Sequence, residues 1–162
     1  MRYLLLVLIP FGSILLDSVF FSRFTLWGAI PDLILIFITF YALFHGSRPG
    51  FMYGFLCGLF EDLYLGRFIG ANALSKALVA FIIGKLEVNV FKDNLMVGFI
   101  GVILATVINF IIMTVLFLVT TPDMVFNQAI LINLGGQLIY NGLLSLPLYI
   151  WYYRVARKYI VK

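Results

Sequence analysis

The sequence predicts an all-α integral membrane protein, a single bundle of six transmembrane helices joined by short loops. Three observations predict it. Of the 162 residues, 64% are hydrophobic and 11% charged, against roughly 45–50% and about 25% in soluble domains. Mean hydropathy is +1.11, more apolar surface than one folded core hides from water. The apolar residues also fall into long runs separated by short Gly, Pro and charged turns, and a bilayer core of about 30 Å takes roughly 20 helical residues per crossing. A soluble enzyme, a disordered tail and a disulfide-built module all conflict with these figures. The lone Cys57 has no intramolecular partner for a bridge.

The first span is expected over residues 3–21, interrupted only by Ser13, Asp17 and Ser18. Arg2 precedes it as in a signal peptide, but no small-x-small cleavage site follows, so the run reads as an uncleaved helix. The second, 31–45, opens with Pro31 at the first turn and Asp32 as a capping acid. It is short, and Trp27 to Ile30 are expected to complete its depth as irregular or interfacial backbone. His45-Gly46-Ser47-Arg48-Pro49-Gly50 is a turn. The third span, 50–66, ends at Gly66-Arg67, and the fourth, 71–90, contains Lys76. Lys92-Asp93-Asn94 separates it from the fifth, 95–119, and Thr120-Thr121-Pro122-Asp123 forms the next turn. The sixth, 125–153, is too long for one straight span; Gly135-Gly136 and Pro147 are its expected breaks or kinks.

With the N-terminus in the cytoplasm, the inner segments hold Arg2, Arg48, Lys85, Lys92, Arg154, Arg157, Lys158 and Lys162, and the outer ones only Arg23 and Arg67. The positive-inside rule therefore places both termini in the cytoplasm. Trp151, Tyr152, Tyr153 and Tyr159 fit an inner aromatic anchor and Trp27 an outer one. The net charge of +4 records topology and does not mark a nucleic-acid surface.

Gly50, Gly54 and Gly58 recur at four-residue spacing, continued by Asp62, Gly66 and Gly70. Small residues on one face let another helix approach closely. Two uses are open: packing within the bundle, or docking of a partner's span. Asp17, Asp32, Glu61, Asp62, Asn72 and Lys76 gather toward the outer ends of their spans, and ionisable groups inside a membrane are either paired or functional. The third and fourth spans should be antiparallel neighbours. Asp62 and Lys76 then share a depth and are expected to form an ion pair; the competing arrangement has Lys76 reaching to the outer surface and Asp62 solvated. Asn127, Gln128, Asn133 and Gln137 also belong to the outer half, with Asn109 and Asn141 near mid-depth. This polar outer face suits either a pocket for a small polar ligand or a dock for a partner's extracytoplasmic segment.

Catalytic and metal constellations are missing. One His and one Cys do not make a metal site by the usual spacing rules. His45 reads as a solvated turn residue, and changing His45 or Cys57 is expected to do little. No Gly-rich loop ends in Lys-Ser/Thr. Glu61 and Asp62, adjacent on a helix, point about 100° apart and would not share a substrate. No cofactor is expected, nor enzymatic activity.

The run Pro31-Asp32-Leu33-Ile34-Leu35, the turn from His45-Gly46 to Gly50, and Gly50-Phe51-x-x-Gly54-Phe55-x-x-Gly58-Leu59-x-x-Asp62 resemble the MreD family of rod shape-determining membrane proteins. Gly66, Gly70-Ala71-Asn72-Ala73-Leu74, Lys76 and the ending Leu146-Pro147-Leu148-Tyr149 with its basic tail continue the resemblance. Glu61 and Arg67 are not among the residues that carry the resemblance. The resemblance implies a non-enzymatic scaffold of the bacterial elongation machinery in the cytoplasmic membrane, which directs lateral peptidoglycan synthesis. The implied partner is MreC, a single-span protein, and through it MreB filaments, a RodA-type polymerase and a penicillin-binding transpeptidase. By fold-level analogy, the family is also similar to the six-helix substrate-binding subunits of energy-coupling-factor transporters. A small-ligand-binding subunit of such a transporter is the alternative function.

Overall fold

The computed structural model describes residues 2–66, 68–86, 94–120 and 128–156, with side chains from Val7 onward. Arg67, Lys92-Asp93, the end of the fourth expected span, the turn residues Thr121 to Asp123, Asn127 and the basic tail from Arg157 lie outside the described residues.

The described residues form six α-helices and no strand: α1 (Arg2–Leu15), α2 (Leu33–His45), α3 (Ser47–Leu65), α4 (Ala71–Lys85), α5 (Leu95–Thr120) and α6 (Gln128–Val155). α5 and α6 are long and apolar enough to cross a membrane.

The first expected span is not one regular helix. Its last turns widen into a π-helix (Leu16–Phe20) and then tighten into a 3₁₀ turn (Phe21–Arg23), which places Asp17 where the helical ladder is already irregular. Leu26 and Ala29 then exchange two backbone hydrogen bonds of 3.0 and 2.9 Å. Between them Trp27 (φ 51°) and Gly28 (φ 80°) both take the left-handed conformation, the geometry of a type I′ turn. The stretch 27–30 is thus a tight turn.

α2 is the centre of the bundle. Ten of its 13 residues are buried, and it packs against each of the other five helices. A helix that is apolar all round belongs in an interior. Around it, Phe40 and Phe44 meet Tyr149 and Tyr152 of α6, with ring centroids 5.0 Å apart for Phe40–Tyr149 and 5.5 Å for Phe44–Tyr152. Tyr152 is therefore a core residue and not the interfacial anchor expected of it, whereas Trp151 beside it is exposed. A β-carbon on Gly98 would fall 2.3 Å from the Tyr149 ring, so glycine is what seats that ring against α5.

Two further expectations are corrected. Neither Gly135-Gly136 nor Pro147 breaks α6, which stays helical through both. His45 is the last residue of α2, half-buried, with its ring stacked 4.2 Å from that of Tyr41; Cys57 is buried in the main core. Neither is a bystander, because both fill packed space.

Candidate functional site

The glycine stripe explains how the site is assembled. β-carbons on Gly54 and Gly58 would lie 2.6 Å from the Lys76 carbonyl oxygen and 2.4 Å from that of Asn72. On Gly50, one would lie 2.9 Å from Ala42 Cβ and 3.2 Å from the Ala80 oxygen. The stripe is filled from within the chain, by the backbone of α4, with the C-terminal part of α2 against Gly50. Bare backbone on α3 is what allows this approach, and it carries Asn72 and Lys76 up to the acids of α3.

Asp62 and Lys76 do not pair. Asp62 is buried, and its carboxylate accepts from the backbone N–H groups of Gly70 (2.9 Å), Asn72 (3.2 Å) and Ala73 (3.0 Å), and from Asn72 Nδ2 (2.9 Å). An acid near the end of α3 thereby caps the start of α4, answering N–H groups that have no partner within their own helix and meeting the positive end of its dipole. Gly66 (φ 63°) and Gly70 (φ 103°) hold the left-handed turns that bring the chain around it.

Lys76 turns instead to Asp32, whose Oδ2 is 3.0 Å from Nζ, and to Glu61, whose Oε2 accepts a bond from Nζ. The lysine side chain has no solvent exposure. Glu61 and Asp62 therefore answer different groups, as their angular separation on the helix requires.

Asp32 is the hub. Its Oδ1 accepts from Leu35 N at 2.8 Å and so caps α2. Its backbone N–H donates to Asn141 Oδ1 at 2.9 Å. Asn141 Nδ2 donates to Thr106 Oγ1 at 3.0 Å, and Thr106 Oγ1 donates to the Val102 carbonyl. Asp17 Oδ2 accepts from Leu33 N at 3.2 Å, and Ser75 Oγ donates to Asn109 Oδ1 at 2.6 Å. These bonds reach from the π extension after α1 through α2 to α3, α4, α5 and α6.

Of the six polar residues singled out from the sequence, the structure brings Asp32, Glu61 and Lys76 into one ion cluster and Asp62 and Asn72 into the α4 cap. Asp17 sits at the edge, on the first N–H of α2. Asn141, read as a mid-depth amide apart from the outer cluster, and Thr106, which was not singled out, are both buried and complete the web. The available signal was an amide in the middle of an apolar run.

The turn at Leu26–Ala29 rests against α6. A β-carbon on Gly136 would meet the Leu26 carbonyl oxygen at 2.5 Å, while one on Gly135 would meet nothing. Asn133 Nδ2 donates to the Gly28 carbonyl at 3.2 Å, and Tyr140 OH donates to that of Phe24. A partly open cavity of about 520 Å³ is lined among others by Asp17, Asp32, Glu61, Asn109, Asn133 and Gln137. Among the described residues no group of three or more His, Cys, Asp or Glu side chains is placed to hold a metal ion.

The family described as rod shape-determining protein MreD matches residues 1–159 of the chain. No curated protein and no solved structure matches it.

Proposed function

The chain belongs to the MreD family of rod shape-determining proteins, and from that premise we propose that it is a non-enzymatic, six-span scaffold of the bacterial elongation complex that binds MreC. It sits in the cytoplasmic membrane with both termini inside, and through MreC it acts on MreB filaments, a RodA-type polymerase and a penicillin-binding transpeptidase. The observation that carries the reading is the web around Asp32. It links α2 to α3 and α4 through the ion pairs of Lys76 and to α6 through Asn141, which suits a part whose task is to hold one shape for a partner. In a membrane, where polar groups have few other partners, such a web favours one arrangement over looser ones.

Affinity purification from native membranes in mild detergent tests the proposal. A single-span MreC-like protein recovered in fixed ratio supports it, and its absence from the purified material overturns it. Recovery of ATPase subunits in place of such a protein would favour the alternative, a ligand-binding subunit of an energy-coupling-factor type transporter, which draws on the cavity at the same end.

A further inference from the structure

The cavity at the Asp32 end is lined by more acidic side chains than the chain pairs with cations. Asp17, Asp32 and Glu61 all line it, and the cation bonded to Asp32 and Glu61 is Lys76, sealed from solvent. Asp62 also lines the cavity but is answered by the N–H groups of the α4 cap, so of its four acids Asp17 has neither a cation bonded to it nor a full set of donors. Asp17 is the acid left over: its Oδ2 accepts from Leu33 N, but its Oδ1 is buried and accepts no hydrogen bond. A carboxylate oxygen taken out of water without a donor is destabilising, and a bound donor offsets that cost.

The shape of the space narrows the class of donor. The acids are not grouped to hold a metal ion among the described residues, so a compact ion bound by several carboxylates does not fit. Much of the rest of the lining is apolar, with Phe110, Met113 and Phe117 of α5 and Leu65 of α3 beside the polar Asn109 and Thr114. Volume of about 520 Å³ lies in the range of small-molecule sites. The requirement is a positive group with hydrogen-bond donors at one end and hydrocarbon at the other.

We propose that this cavity binds a primary ammonium group carried on an apolar chain, with the nitrogen at Asp17 beside Glu61 and the hydrocarbon against the α5 wall. The amine of a lipid headgroup and a free alkylamine share this chemistry. The site is independent of the assembly role, so its failure leaves the scaffold reading standing.

The test uses the full chain in detergent, titrated with n-hexylammonium and, separately, with n-hexanol, reading the thermal unfolding midpoint. Hexylammonium is expected to raise the midpoint saturably and hexanol to leave it unchanged. Asp17→Asn keeps an acceptor for Leu33 N and is expected to weaken binding about tenfold, the scale of one lost charge-assisted contact. Met113→Trp, which fills the apolar end without touching the acids, is expected to weaken it as well. No response to hexylammonium, an equal response to hexanol, or unchanged affinity in both variants overturns the proposal. Native mass spectrometry from nanodiscs of phosphatidylethanolamine and phosphatidylglycerol then separates the sources. One retained phosphatidylethanolamine per chain assigns a lipid headgroup, whereas hexylammonium binding without lipid preference assigns a free amine.

Discussion

Asp32 and Lys76 lie 3.0 Å apart between Oδ2 and Nζ, an ion pair joining the N-cap of α2 to the middle of α4. Because the lysine is fully buried, the pair is not a surface decoration whose loss goes unnoticed. Breaking a buried pair leaves a charge with no compensation, at about 3–5 kcal/mol. Lys76→Met is therefore expected to abolish or strongly lower the folded fraction in detergent. Adding Glu61→Gln to it removes one uncompensated acid and should recover part of the loss. Fluorescence-detected size exclusion after a heat step measures both.

The charge swap Asp62→Lys with Lys76→Asp is expected to restore nothing. Each residue has its own partners, so the swap removes the α4 cap and leaves Asp32 and Glu61 facing a third acid. A double-mutant cycle on thermal midpoints decides it, and positive coupling between the two sites would contradict the geometry.

Asp62 should tolerate no neutral replacement well. Its two oxygens accept four N–H bonds, and asparagine has a single acceptor oxygen. Asp62→Asn is expected to cost on the order of 1.5–3 kcal/mol, the range for hydrogen bonds to a charged group, and Asp62→Ala more. Limited proteolysis of the turn between α3 and α4 gives a local readout that global unfolding does not.

Gly135 and Gly136 are neighbours with opposite expectations. Gly136→Ala drives a methyl group into the Leu26 carbonyl and should destabilise, whereas Gly135→Ala meets open space. It should be neutral, or stabilising by up to about 1 kcal/mol through helix propensity. Equal midpoints for the two variants would mean that the Leu26–Ala29 turn does not rest on α6.

Cys57→Ser and His45→Ala reverse the initial expectation of little effect. Cys57 lies in the main core, so a hydroxyl there is expected to cost about 1–3 kcal/mol unless it finds a partner. His45→Ala removes the stack on Tyr41 and should cost about 0.5–1.5 kcal/mol. Midpoints of both variants, measured beside the exposed control Met52→Leu, check this.

Much of the architecture was legible in the chain. Hydrophobic runs broken by Gly, Pro and charge located all six helices, because leaving backbone polar groups unsatisfied is too costly in an apolar setting for anything but helix. Gly50, Gly54 and Gly58 announced a close approach for the same local reason: a missing side chain can be read directly from the sequence. Asp32 as the cap of α2 was equally visible, since capping acts within one turn. The partner of Lys76 was not. Glu61 and Asp62 stand next to each other, and a difference of about 100° in direction decides which acid meets the lysine and which meets the start of α4. That choice depends on how far α4 is rotated and slid along the glycine stripe, a quantity set by backbone contacts between helices. Asp32 and Asn141 lie farther still along the chain from their partners. Only the packing of α2 at the centre brings them within hydrogen-bonding distance, because a contact between distant segments is fixed by the shape of everything that fills the space between them.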